Sequence, residues 1–413
     1  MRDPAERVSR ATEGLGDRSH ERGPIDSHSG TDAHLRWIAS TLREEHPPWP
    51  FGLGAIEIDC LVETAQAEGV VGLLAERLIK RPDAGCVPPA LLDILRRREH
   101  RDASLELFRE SEYRRLLETL GTAGLQPVVI KGTALAYSLY RQPHRRSRCD
   151  LDVVFRNRAA AISAVDLLTD SGYRRPNAVD GDWITQAITI VRHDALGIAH
   201  SLDLHWSPLN QPALAARLGF AEIAAAAQAL PSLGPHARIP APPHALLIAC
   251  LHRIANIRTG RANRLIWLYD IHLLAETLEQ DQWRSIEKLA RARGIAGLLL
   301  DGLQAARVHL HTSIPEETLA TLRRAAATQW LSPAGFADER SALLSDLRAL
   351  PGWRAPLQLL REHLFPPADY MRIKYAGIDH PLPLLYLRRI LNRLRAASAA
   401  RTERPTRPSR STL

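Results

Sequence analysis

Asp150 and Asp152 stand one residue apart in a segment, Asp150-Leu151-Asp152-Val153-Val154-Phe155, that is otherwise apolar. In extended chain the side chains at i and i+2 leave the same face, so the two carboxylates point together while Leu151 and Val153 pack on the other side. Like charges held that close call for a cation. Oxygen donors select Mg²⁺ and Mn²⁺, and Mg²⁺ is commonly held by one or two carboxylates together with substrate phosphates. A third carboxylate has a similar setting in Ser201-Leu202-Asp203-Leu204-His205-Trp206, where polar and apolar residues alternate as on a half-buried strand. Pairing of the two strands would bring their backbones within roughly 5 Å, so that Asp150, Asp152 and Asp203 could converge on one metal cluster. Two ions about 4 Å apart would serve both the attacking and the leaving oxygen of a phosphate ester.

Upstream, Val128-Val129-Ile130-Lys131-Gly132-Thr133 reads as a strand running into a turn. Glycine lets backbone approach a ligand, and a helix beginning at Thr133 would aim free amides and a partial positive charge at phosphate, with Lys131 adding a point charge. The same residues also suit a plain strand end and helix cap. Arg145, Arg146 and Arg148 fill the segment between this turn and the aspartate pair. Guanidinium forks match phosphate oxygens, and a solvated basic loop is the structural alternative. His205 shares the face of Asp203 and either supports a carboxylate or fills the strand face, whereas Trp206 points the other way, into a core. Cys149 is expected to face away from both aspartates and pack inside.

Lys131-Gly132-Thr133, the apolar run Ala134 to Tyr140, Arg146, Asp150-Leu151-Asp152 and Asp203-Leu204-His205-Trp206 together resemble the uncharacterised bacterial nucleotidyltransferase family, a branch of the DNA polymerase β-like superfamily. The resemblance spans about residues 35 to 375 and takes in a helical region with His252, Arg264, Trp267 and Asp270. Gly132-Thr133 stands where that superfamily carries Gly-Ser or Gly-Gly, and the gap to Asp150 is longer than in its compact members. The resemblance implies an α+β fold with a small mixed sheet, catalytic and metal-binding roles for Asp150, Asp152 and Asp203, and nucleotide contacts from Lys131, Gly132, Thr133 and Arg146. It implies two Mg²⁺ or Mn²⁺ ions and an NTP donor, ATP by expectation, whose nucleoside monophosphate passes to an acceptor hydroxyl. His205, His252, Arg264 and Asp270 are placed beside the metal site or on the acceptor side. The alternative is a non-catalytic nucleotidyltransferase-like binding or regulatory protein that partners a biosynthetic enzyme.

The elements that must position these residues are mostly helical. Apolar positions recur at three- and four-residue intervals over His34–Glu44, Ile56–Arg81 and Pro89–Leu120. Strand character follows at Gln126–Ile130, Asp150–Phe155, Trp183–Val191 and His200–Trp206, with a helix over Ala159–Ser171 closed by Gly172. After Pro240-Ala241-Pro242-Pro243, helices are expected over His244–Ile257, Arg264–Leu278 and Gln282–Ala292. Asp270 falls in an apolar run and needs a partner, for which His252 or Arg253 on the preceding helix is the expectation. Pro383–Ala397 reads as a basic amphipathic helix whose leucines cover the core or, alternatively, meet an anionic surface. The organisation is thus a disordered leader (1–31), a helical region (32–122), the nucleotidyltransferase core (123–240), a second helical region (241–395) and a flexible basic tail (396–413).

The chain has 413 residues, 45% of them hydrophobic, enough for two or three linked subdomains. Its four cysteines, Cys60, Cys86, Cys149 and Cys250, show neither close pairing nor zinc spacing, which fits a reducing cytoplasm. The start carries no basic patch followed by an apolar run, and no apolar span of membrane length is evident. A net charge of +8 allows nucleic-acid binding but does not indicate it, because the arginines are scattered, aromatics are only 5% and no nucleic-acid module is recognisable. Walker, Gly-x-Ser-x-Gly and His-Glu-x-x-His motifs are missing, which sets aside the chemistries they serve. The acceptor has no signature, since the helical flanks hold no sugar-, lipid- or tRNA-specific pattern.

Overall fold

The structure, a computed structural model, describes residues 28–49, 54–80, 87–176, 183–375, 378 and 380–402. Most of the leader expected over residues 1–31, the end of the tail, Arg81 and Cys86 lie outside the described residues. Helices α1 (His28–Leu42), α2 (Ala55–Ala67) and α3 (Val71–Ile79) lead into α4 (Pro89–Thr122). The single helix expected over Ile56–Arg81 is therefore two. It breaks at Gly69, whose φ of +74° is left-handed, and a Cβ there would meet the Ile266 side chain at 2.9 Å.

At 34 residues and 1.5 Å rise per residue, α4 is about 50 Å long. Its first half buries Leu91, Leu92 and Leu95 in the larger core, and its second half buries Tyr113, Leu116, Leu117 and Leu120 in a separate one. One helix thus joins both cores.

The sheet holds β1 (Val128–Ile130), β2 (Asp150–Val154), β3 (Ala187–His193) and β4 (Ala199–His205) in the order β1-β2-β4-β3. Only β2 and β4 are parallel, so the sheet is mixed and the fold is α+β, as expected. Parallel neighbours need a crossover. Helices α5 (Lys131–Ser138) and α6 (Arg158–Thr169) flank β2, and α6, capped by Asn157 through Ala160 N–H, carries the chain across. Leu151, Val153, Leu202 and Leu204 pack on one side of the sheet, Val128, Ile130 and Val154 on the other. The third strand starts later than expected, at Ala187. The amides of Trp183 and Ile184 donate to Glu362 instead of to a strand neighbour, and pairing with β4 continues to His193 before the turn held by Asp194.

Helices α7 (Pro212–Ala215) and α8 (Phe220–Ala225) and a short ladder of β5 (Gln228–Ala229) with β6 (Arg238–Ile239) precede the second helical region. That region comprises α9 (Pro242–Ala255), α10 (Leu265–Glu276), α11 (Gln280–Arg293), α12 (Ala296–Leu310) and α13 (Glu316–Ala326). It continues with α14 (Glu339–Ala349), α15 (Arg354–Leu364), α16 (Ala368–Lys374) and α17 (Leu382–Thr402). Among the described side chains of α17, Leu385 and Arg389 face inward, the latter over the Tyr370 ring, while Leu384, Leu387 and Leu391 are exposed, so these leucines do not cover the core as one face. Among the described residues no helix is long and apolar enough to cross a membrane.

Asp270 finds a partner other than the expected His252 or Arg253. Its carboxylate accepts from Arg146 Nη2 at 2.6 Å and from the Tyr140 hydroxyl at 2.6 Å, so the pair ties the approach to β2 onto α10. Arg253 pairs with Asp301 and Asn263. Burial disfavours the Arg146 charge, but the Asp270 carboxylate outweighs it and raises the guanidinium above its ordinary range. A buried pair broken on one side leaves a lone charge in low dielectric. Asp270→Ala is therefore expected to lower the unfolding free energy by about 3–5 kcal/mol in urea titrations, and Arg146→Met combined with Asp270→Leu to recover much of that loss.

A second carboxylate clasp holds α14 to the start of α7, where Asp346 accepts from the Ala213 amide at 2.9 Å. Burial pushes the Asp346 carboxyl up to about 6. Its folded pKa lies above the ordinary 3.8 of an unfolded aspartate, so the folded state holds the proton longer and this site's contribution to stability falls as pH rises between those values. Asp346→Asn keeps an acceptor without the charge. Melting curves are expected to coincide for the two proteins near pH 4 and to favour the variant increasingly towards pH 7.

Candidate active site

Parallel register sets Asp152 of β2 opposite Asp203 of β4, and Val154 opposite His205. Opposed residues of a ladder project from the same face, so Asp150, Asp152, Asp203 and His205 share the sheet face that the larger, helical core covers. Donor atoms of Asp152, Asp203 and His205 all lie within 4.8 Å of one another. Asp150 opens the strand on that face. Burial, then the charges of Asp152 and Asp203, push its carboxyl up to about 7. A carboxyl that resists ionising beside two others marks a centre short of positive charge. His205 Nδ1 is buried without a hydrogen-bond partner among the described residues. Carboxylate oxygens and a neutral imidazole together suit a divalent cation.

One cation of the chain already reaches this centre. Lys131 Nζ lies 2.6 Å from Asp152 Oδ1 and 3.2 Å from His205 Nε2. His205 Nε2 is 2.8 Å from the same Asp152 oxygen, and we assign its proton to that contact. Burial opposes ionisation of Asp152, yet the Lys131 ammonium and the His205 bond hold its carboxyl well below the usual range. His205 in turn is lowered, by burial first and then by Lys131, so its ring is neutral at pH 7. Lys131 has φ +53°, a left-handed backbone that costs roughly 1–2 kcal/mol for a residue with a Cβ. That strained turn throws its side chain back over β2.

The turn works differently from the sequence expectation. Helix α5 begins at Lys131 rather than Thr133. A Cβ on Gly132 would fall on the Arg146 guanidinium, so what comes close to its backbone here is a side chain of the protein. Thr133 is fully buried, its hydroxyl donating to the Asp150 carbonyl at 3.1 Å and fixing the start of β2.

The basic segment turns inward too. Arg145 donates to Glu99 at 2.7 Å and forms an ion pair with Glu76 at 2.5 Å, Arg146 holds Asp270, and Arg148 is buried against Glu106 and between the Tyr113 and Tyr137 rings. Neither a solvated loop nor a row of free phosphate forks describes them. Cys149 is exposed on the cleft, not packed in the core, because it precedes β2 and escapes the strand's alternation. Trp206 is half-buried against the smaller core, with Arg158 over its ring.

All of this opens into a cleft of about 900 Å³ between the sheet and the helices. Lys131, Gly132, Asp150, Asp152 and Asp203 form its floor, and His252, Arg264 and Trp267 stand on the helical wall. The His252 ring meets the Trp267 ring edge-on at 4.8 Å, and Arg264 lies over that indole at 5.8 Å. Burial first, then Lys131, pushes the His252 imidazole down to about 3, so it is uncharged. Thr189 was not anticipated from the sequence. It sits opposite Asp203 in the β3–β4 register and donates to Asp203 Oδ1 at 2.6 Å. Its signal was present in the alternation of β3, which turns Thr189 to the carboxylate face. Tyr140 left no sequence signal, since only the fold brings it to Asp270.

A small mixed sheet gathers carboxylates from two parallel strands beneath the cleft, an α+β arrangement whose acidic centre is compatible with metal binding. The chain belongs to the family described as uncharacterised nucleotidyltransferase, whose pattern matches residues 54–311. None of the curated proteins matches the chain.

Gly132 carries the packing of Arg146, so Gly132→Ala is expected to cost about 1–3 kcal/mol in chemical denaturation by pushing the guanidinium off Asp270. Gly219→Ala, with open space around it, should cost under about 0.5 kcal/mol.

Proposed function

We propose that the protein is a divalent-metal-dependent nucleotidyltransferase of the cytoplasm, moving a nucleoside monophosphate from an NTP, ATP first among the donors, to an acceptor hydroxyl. The observation that carries the reading is the register of β2 against β4, which sets Asp152 beside Asp203 and His205 in a chain of nucleotidyltransferase family. Asp150, Asp152 and Asp203 would hold two Mg²⁺ or Mn²⁺ ions, with His205 supporting Asp152. Bound there, the ions supply charge neutralisation and Lewis-acid polarisation at the reacting phosphate.

The acceptor oxygen attacks the α-phosphorus and forms the new P–O bond. The bond from that phosphorus to the bridging oxygen breaks, and pyrophosphate leaves with the electron pair. Asp203, partly exposed to the cleft and oriented by Thr189, takes the hydroxyl proton. Lys131 is the positive charge of the floor, held against Asp152, and Gly132 makes room for Arg146 behind it. Trp267, His252 and Arg264 form the wall against which the acceptor is held. Positioning and charge neutralisation carry most of the rate in such transfers.

One observation favours a non-catalytic reading: the Lys131 ammonium already compensates Asp152. Both readings meet the same measurements. Metal-dependent pyrophosphate release from NTPs is expected from the wild type, and Asp150→Asn or Asp152→Asn should reduce it by more than the 10–100-fold that loss of a supporting group costs, with the melting temperature held in Asp150→Asn, whose carboxylate is not stabilised on balance by its neighbours. ATP binding that needs Mg²⁺ without any turnover across a mixed extract of acceptors would support the binding protein. Unchanged turnover in both variants would sink the enzyme.

A further inference from the structure

Arg98, Arg101 and Arg109 reach into the cleft from one side of α4, at positions i, i+3 and i+11 of a helix. They differ from Arg145, Arg146 and Arg148 in what they touch. Arg98 stands 4.0 Å from Asp102, beyond hydrogen-bond reach, and its Nε is buried without a hydrogen-bond partner. Arg109 stands 3.9 Å from Glu106, a carboxylate already bound by Arg148 and by the Tyr137 hydroxyl. Arg101 is 3.0 Å from Asp102, the same carboxylate that faces Arg98. Three guanidiniums therefore share one acid and the remainder of another, and the cleft wall keeps a surplus of positive charge. Arg98 and Arg109 are half-buried, which weakens screening of their charge by salt. Forked donors in such a setting match phosphate oxygens.

We propose that Arg98, Arg101 and Arg109 form a phosphate-binding subsite on α4. It rests on the nucleotidyltransferase reading in taking this cleft as the substrate cleft, and it fills the gap left when residues 145–148 turned inward. The phosphates come either from the β and γ positions of the donor or from an acceptor that itself carries phosphate. A neutral acceptor alcohol would leave the ridge without a ligand unless the donor's phosphates reach it.

Calorimetric titration of the full chain with inorganic tripolyphosphate, in the presence of a chelator, tests the subsite without needing turnover. Saturable binding is expected, weakened by about tenfold or more in Arg98→Gln/Arg101→Gln/Arg109→Gln. Arg101→Gln alone, at the most exposed of the three, should weaken it several-fold with the melting temperature unchanged. Asp102→Asn should tighten it, since that carboxylate competes with the ligand; a merely structural ridge predicts no gain. Asp152→Asn should keep tripolyphosphate binding, so the subsite stands even where pyrophosphate release is never seen. Titration with MgATP separates the sources. Parallel weakening in the triple variant assigns the ridge to the donor's phosphates, and unchanged MgATP binding assigns it to a phosphorylated acceptor. Equal tripolyphosphate affinity in wild type and triple variant, or no binding by the wild type, overturns the proposal.

Discussion

Parallel pairing of β2 with β4 forces Asp152 and Asp203 side by side on a sheet face that helices cover. Carboxylates in that position repel one another and lose solvation, so each must be compensated or stay protonated. Both answers are visible. Asp152 is compensated by Lys131 and His205, whereas at Asp150 burial and the neighbouring carboxylates outweigh Lys131 and Arg146 and its carboxyl rises to about 7. The strained backbone of Lys131, the glycine after it and the hydroxyl of Thr189 all follow from holding this acidic centre in place.

A second constraint concerns how the two halves of the cleft are held in register. The floor belongs to the sheet and the wall to α9 and α10, and the two meet through the enclosed set Arg146, Asp270 and Tyr140. Buried ion pairs add little net stability because desolvation offsets attraction. Their directionality is the more useful property here. An apolar contact could slide, while a guanidinium held by two carboxylate oxygens and crowded against Gly132 fixes where α10 stands relative to β2. Arg145 and Arg148 fasten the same segment to α3 and α4 in the same manner. Three ionic anchors within four residues thus fix the approach to Asp150, and a site that works by positioning requires that.

With those arginines engaged inside, positive charge for a ligand has to come from another surface. The side of α4 that spans the two cores supplies it, since its middle, between the buried leucines of each end, is where the helix faces the cleft. A long helix serving two cores is therefore also placed to serve the gap between them.

The sequence by itself determined the strands that carry the acids and the pairing of Asp150 with Asp152, because strand periodicity is local and a charge in an apolar run stands out, while its resemblance to a known family implied the α+β class. It also determined that Asp203 and His205 share a face, through the same period of two. Only the tertiary structure decided the partners of the charges. Asp270 lies 124 positions from Arg146 and 130 from Tyr140, and no spacing rule reaches so far. Gly132 could be read locally as room for a ligand, and only the fold shows the guanidinium that fills it. The cationic run at 145–148 had the same limit. Charge is visible in sequence, but whether a charge is free for a ligand depends on which acids the fold brings within reach, and long-range packing alone sets that.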